Sequence, residues 1–154
     1  MEIRHLPADP NVVGLVAGWL FREWGHLSPG ASYQRSVERL IQRTGSAEVP
    51  VTLVAFEGDQ AIGTASLVAD DMETRPQFTP WLASVYVLPE SRTQGVGSEL
   101  CKAIITELNR LNIKRAYLFT PNKEEFYQRL GWRTIEREIY RGEQVTVMTY
   151  ELAG

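Results

Sequence analysis

Apolar residues recur along this chain at two spacings, and each change of spacing marks a change of element. Val12, Leu15, Val16, Trp19 and Leu20 fall on one helical face, and Asp9 with Pro10 supply an N-cap and a first-turn proline. That helix runs to about Trp24, a loop with Pro29 covers 25–30, and Ser32 opens a second helix. The second helix places Tyr33, Val37, Leu40 and Ile41 on one face and ends at Gly45. A short strand at 3–6 precedes both. Residues 51–56 read as a buried strand, Gly58-Asp59 as a turn, and 61–68 as the returning strand of a hairpin. A polar loop with two prolines spans 70–80. Residues 81–87 then form a strand rich in β-branched and aromatic side chains, stopped by Pro89.

From Val96 the helical spacing returns at Leu100, Ala103, Ile104, Leu108 and Leu111, and Asn112 suits the left-handed conformation at this helix's end. A strand at 116–119, a short helix at 123–130 closed by Gly131, and strands at 134–140 and 145–152 complete the order. Hairpins impose antiparallel pairs, whereas the strand–helix–strand crossover within 85–119 imposes a parallel one. The expected class is therefore α/β, with a mixed, mostly antiparallel sheet and flanking helices. No repeat or linker divides the chain, so 1–154 is expected to be a single domain.

The candidate chemistry lies where the central strand hands over to the long helix. Arg92 is followed by Gly95 and Gly97 just as that helix opens. The first turn of a helix presents unpaired N–H groups and a positive dipole end, and glycines let a bulky anion approach them. Arg92 adds a fixed forked cation. This is a cradle for a phosphate or pyrophosphate. A P-loop would need Gly-Lys-Ser/Thr, and the chain has Gly97-Ser98-Glu99. A Rossmann fingerprint would need a third glycine where Leu100 stands and a carboxylate after the next strand, which ends Leu118-Phe119-Thr120-Pro121. The pyrophosphate loop of an acyl-CoA-dependent transferase, Arg/Gln-x-x-Gly-x-Gly/Ala, fits Arg92-Thr93-Gln94-Gly95-Val96-Gly97 at every defined position. A glycine-rich turn with no ligand is the fourth reading of the same residues.

Downstream stands Phe126-Tyr127-Gln128-Arg129-Leu130-Gly131-Trp132. With the loop, and in the same order, it resembles the GNAT superfamily of N-acyltransferases, whose C-terminal motif is Tyr-x-x-Leu-Gly-Phe/Tyr. The resemblance covers roughly 81–152, and the N-terminal half agrees in element order. It implies an acyl-CoA N-acyltransferase fold in which the central parallel strands splay apart after a bulge and admit the pantetheine arm of acetyl-CoA. It implies that backbone groups of Val85 and Val87 bond pantetheine, and that Arg92, Thr93, Gln94, Gly95, Val96, Gly97 and Ser98 hold the pyrophosphate. Where many members carry an asparagine touching pantetheine, this chain has Thr120, so that contact is not expected here.

The implied reaction moves an acetyl group from acetyl-CoA, as cosubstrate, directly to a primary amine in a ternary complex. An alkyl amine with a pKa of about 10.4 is almost wholly protonated at neutral pH, so a base must take its proton. In the family's pattern Tyr127 would return a proton to the leaving thiolate, and the backbone N–H of Val87 would hold the developing oxyanion. The base is less legible. Asp70, Asp71 and Glu73 in the polar loop could attract a cationic amine or act through water, and they favour a cationic acceptor. His5 and His26 are isolated, His26 lying in the segment that shapes the acceptor site in the family. Cys101 is read as a small buried hydrophobe, and Trp19, Trp24 and Trp81 as core or pocket wall.

Composition narrows this picture. A net charge of −3 argues against a nucleic-acid partner, which would usually show a basic face. One cysteine leaves no internal disulfide and suits a reducing compartment, no apolar run reaches membrane-span length, and the N-terminus lacks a signal-peptide pattern. A cytoplasmic enzyme with no metal and no membrane or nucleic-acid partner is expected. Its acceptor would be a small amine or a peptide amine, and it could form a homodimer, as many proteins of the family do. The alternative from another class is a non-catalytic acyl-CoA-binding sensor or interaction module.

Overall fold

The computed structural model describes residues 1–153. Its elements, in chain order, are β1 (Glu2–His5), α1 (Pro10–Trp24), α2 (Tyr33–Ile41), β2 (Val51–Glu57), β3 (Gln60–Val68) and β4 (Trp81–Val87). They continue with α3 (Val96–Arg110), β5 (Arg115–Thr120), α4 (Glu124–Arg129), β6 (Arg133–Tyr140) and β7 (Glu143–Glu151). The strands make one seven-stranded sheet in the order β1-β2-β3-β4-β5-β7-β6. Every neighbouring pair is antiparallel except β4 with β5.

Strand alternation assigns the two faces. Leu53 and Ala55 of β2 pack with Leu100, Ile104 and Leu108 of α3, whereas Val54 and Phe56 pack with Val13, Val16 and Trp19 of α1 and Leu40 of α2. On β5, Ala116 and Leu118 join the α3 side. Tyr117 turns to the other side, where Met72 of the 69–80 loop and Trp81 cover it. One face is thus closed by α3 and α4. The other is covered in two separate parts, by α1 with α2 and by the 69–80 loop.

Asp9 and Ser32 cap their helices as expected, through bonds from Asn11 N–H (2.9 Å) and Arg35 N–H (3.1 Å). The α2 face departs from its pattern: Tyr33 and Ile41 are 46% and 55% exposed. This short helix buries Leu40 and rests on α1 through Ser36 Oγ, which donates to the Ala17 carbonyl at 3.3 Å. Tyr33 instead donates its hydroxyl to the Gly14 carbonyl at 3.1 Å.

Gly63 sets the distance between α3 and the sheet. A Cβ there would stand 3.0 Å from the Tyr86 carbonyl oxygen and 3.1 Å from Leu100 Cδ1. Only a glycine lets the start of α3 lie this close to β3 beside the end of β4.

Candidate active site

Two local breaks in β4 open the site. Its register with β3 runs Thr64–Tyr86 and Ser66–Ala83, so Ser84 and Val85 together oppose the single residue Ala65. Ser84 takes φ 58°, a left-handed value that re-aims the strand. On its other side β4 pairs with β5 only at Trp81–Tyr117. Beyond that contact the parallel strands diverge, and a wedge opens between their C-terminal ends. The expected splay after a bulge is present.

A cavity of about 1240 Å3 fills the wedge and reaches both faces of the sheet. At one end it is lined by the loop before α3 and by Phe126 and Tyr127 of α4. At the other it meets α2, Asp71 of the 69–80 loop and Arg141 of the β6–β7 turn. Val85, Val87, Arg92, Thr93, Gly95, Val96, Gly97, Ser98 and Tyr127 all lie on its wall. Gln94 does not; its side-chain amide turns back to the Glu90 carbonyl at 3.4 Å.

The α3 end is built to receive an anion. Gly95 is the N-cap at φ 83° and offers no side-chain cap, and Glu99 N–H to Gly95 O (3.0 Å) closes the first helical turn. The N–H groups of Val96, Gly97 and Ser98 precede that bond and remain without intrahelical partners. A Cβ built on Gly95 would meet nothing within 4 Å, so the loop backbone stands open. Arg92 is held by its Nε, which donates to the Val87 carbonyl at 2.8 Å, and its guanidinium carbon lies 5.5 Å from the Tyr86 ring centre. Tyr86 is stacked on Trp19 and meets Trp24 edge-on. The fork of Arg92 is therefore anchored at one nitrogen and keeps its outer nitrogens for a ligand.

Val87 faces Gly63 across β3, while the next pair is joined by Leu88 N–H to the Ile62 carbonyl at 2.9 Å. Antiparallel pairs alternate, so both backbone groups of Val87 turn away from β3 toward the wedge. Thr120, at the asparagine position of the family motif, faces a different task. Its Oγ1 accepts the N–H groups of Asn122 (3.4 Å) and Lys123 (3.1 Å) and shapes the turn into α4.

Tyr127 is 9% exposed, between Phe126 and Trp132. Burial, assisted by nearby Cys101, pushes its hydroxyl pKa well above the usual value, so it stays protonated at neutral pH. Cys101 is buried, as expected, and burial raises its thiol to about 12.

Of the three carboxylates in the polar loop, only Asp71 lines the cavity. Asp70 is exposed, and Glu73 reaches out to accept from Arg141 Nη2 at 2.9 Å. The loop is fixed: Met72 is 2% exposed, Arg75 pairs with Glu136 (2.6 Å) and Glu138 (3.1 Å), and Phe78 stacks on Tyr117 at 4.2 Å. Burial raises the Asp71 carboxyl to about 6, against the opposing pull of Arg141 and Arg43. The histidines do not join the site. His5 Nε2 bonds Glu107 Oε1 at 2.5 Å, away from the cavity, and His26 is exposed outside its wall. Among the described residues no cluster of His, Cys, Asp and Glu is arranged to hold a metal, and no helix is long and apolar enough to cross a membrane.

Residues 16–132 match the sequence profile of the acetyltransferase (GNAT) family. The chain belongs to that family. No curated protein matches the sequence. Solved GNAT-like structures share the fold across nearly the whole chain. An aminoglycoside 6'-N-acetyltransferase complexed with coenzyme A has a TM-score of 0.76 at 14% identity, covering 100% of this chain and 98% of its own. A Salmonella typhimurium protein solved with its cofactor acetyl-CoA gives 0.76 at 18% identity, with 100% and 95% covered. An N-acetyltransferase from Thermoplasma acidophilum in complex with coenzyme A gives 0.67 at 17% identity, with 98% of each chain covered. At these identities the likeness concerns the fold. This GNAT domain has the mixed seven-stranded sheet with one parallel pair that its sequence implied.

Proposed function

We propose that this GNAT protein transfers an acetyl group from acetyl-CoA directly to a primary amine. The observation that carries the reading is the wedge itself. One cavity joins the uncapped start of α3 to the half-buried carboxylate of Asp71 on the opposite face of the sheet.

Bound there, acetyl-CoA supplies the activated acetyl group. Arg92 and the N–H groups of Val96, Gly97 and Ser98 hold its pyrophosphate, with Thr93 beside them; Gln94 shapes the loop from outside. Val85 offers backbone groups to the pantetheine arm, as does the second lone pair of the Val87 carbonyl that Arg92 Nε already engages, and the Val87 N–H takes the charge that develops on the thioester oxygen. Asp71, with a carboxyl near 6, is the acceptor-side base: it is largely ionised at neutral pH yet basic enough to accept a proton. Tyr127 donates to the departing sulfur. Its raised pKa is no obstacle, because the same surroundings raise the neighbouring Cys101 thiol to about 12 and would penalise a departing thiolate likewise.

Tyr127→Phe tests the assignment. With an amine that the wild type acetylates, turnover should fall by about 10²- to 10⁴-fold, while the acetyl-CoA dissociation constant stays unchanged. Unchanged turnover would remove Tyr127 from the mechanism.

A further inference from the structure

The mechanism leaves two arginines at the acceptor end without a task. Arg39 lies in the last turn of α2 and Arg43 one turn further on, and both line the cavity. Their neighbours are occupied: Arg35 Nη1 donates to the Gly30 carbonyl at 2.8 Å, and Arg141 Nη2 to Glu73 at 2.9 Å. Among the described residues Arg39 and Arg43 make neither an ion pair nor a side-chain hydrogen bond. A helix C-terminus favours cations, which would explain exposed Arg39 but not the burial of Arg43. Arg43 is half-buried, and burial together with Arg39 depresses its pKa, opposed by Asp71. No hydrogen bond links Arg43 to Asp71, and Glu23 and Glu143, which also face the cavity, are exposed. A half-buried cation with a carboxylate nearby but no hydrogen-bonded partner gains most when a ligand brings an anion to its open donors.

We infer that Arg39 and Arg43 form an anion subsite beside Asp71, and that the acceptor is an amine carrying a carboxylate a few bonds from its nitrogen. A free amino acid has that pattern. Its carboxylate meets the guanidinium forks while its amine faces Asp71 and the wedge, so the site mirrors a zwitterion. A polyamine would bring like charge against both arginines. This inference rests on the N-acetyltransferase reading and refines the cationic acceptor that the acidic loop alone suggested.

The test begins with calorimetric titration of acetyl-CoA, because absent binding overturns the N-acetyltransferase reading itself, and this inference with it. With binding established, the common amino acids, their carboxamides and a set of polyamines are assayed for coenzyme A release. Binding of the corresponding N-acetyl amino acids and N-acetyl amides to the coenzyme A-loaded protein is measured alongside. A carboxylated amine should be preferred to its amide by about ten- to hundredfold in kcat/KM. Arg43→Gln and Arg39→Gln should each raise its KM and shrink the preference, leaving the KM for acetyl-CoA unchanged, and Arg43→Lys should restore part of it. The subsite is overturned, with acetyl-CoA binding intact, if amides or polyamines are used as well as the acids, if no carboxylated compound binds or reacts, or if folded Arg43→Gln keeps the preference.

Discussion

Replacing Asp71 by asparagine should make the protein more stable and less active, with both effects governed by pH. Asp71 sits in the loop between β3 and β4, within electrostatic reach of Arg43 just beyond α2 and of Arg141 in the β6–β7 turn, while Arg39 acts on Arg43. Burial outweighs those cations and lifts its carboxyl from 3.8 to about 6. Because the folded pKa lies above the unfolded one, the neutral acid is the form that folding favours. Below the unfolded pKa both states are protonated and no penalty exists. Between about 4 and 6 the penalty for an ionised carboxylate accumulates, and above 6 it is fully present. A shift of this size corresponds to a ceiling of about 3 kcal/mol. Asparagine is neutral throughout, so Asp71→Asn should gain up to that amount above about pH 6 and little near pH 4, with roughly 2–4 °C in Tm per kcal/mol. Urea melts of both proteins across this range provide the assay, beside kcat/KM against pH. The wild-type rate should rise with pH through a limb near 6, and the variant should lose the limb and about 10²-fold or more in rate. Stability curves that stay parallel from acid to neutral pH would refute the desolvated placement of Asp71. A retained limb in the variant would refute its role as base.

Two glycines test the geometry around the wedge. Gly63→Ala should cost about 1–3 kcal/mol in chemical denaturation, since its Cβ would lie 3.0 Å from the Tyr86 carbonyl, backbone that cannot easily yield. Gly97→Ala should behave oppositely. Its Cβ would meet Phe126 and Val87 at ordinary distances of 3.6 and 3.8 Å, so the helix should gain about 0.4–1 kcal/mol. The methyl group narrows the wedge at the uncapped N–H groups, so acetyl-CoA affinity measured by titration should fall as stability rises.

The parts that local chemistry dictates were legible in the sequence. The limits of β4 follow from its β-branched run and Pro89, and Asn112 adopts φ 57° at the end of α3 as its side chain permits. The order of hairpins and one crossover gave the sheet its single parallel pair. Ser84 carried no comparable signal, because a serine at positive φ is imposed by β3 and β4 together rather than chosen by its own preference. Asp71 could not be told from Asp70 by sequence, since the burial of Met72 and the clasp of Arg75 on β6 decide which one faces inward. The arginines around α2 carried no signal in the sequence, because their cavity is completed by β4 and the β6–β7 turn, distant in sequence. Periodicity likewise overstated the buried face of α2, whose short contact with α1 leaves Tyr33 and Ile41 outside.

The most direct test of the account is calorimetric titration of acetyl-CoA into the wild type and into an Arg92→Ala/Gly95→Val variant whose folding is checked by circular dichroism. Valine at φ 83° closes the turn that exposes the first N–H groups of α3, and alanine removes the anchored fork. One acetyl-CoA should bind per chain in the wild type, and binding should be lost in the folded variant. A folded wild type that binds no acetyl-CoA, or a variant that binds as tightly as the wild type, would contradict this.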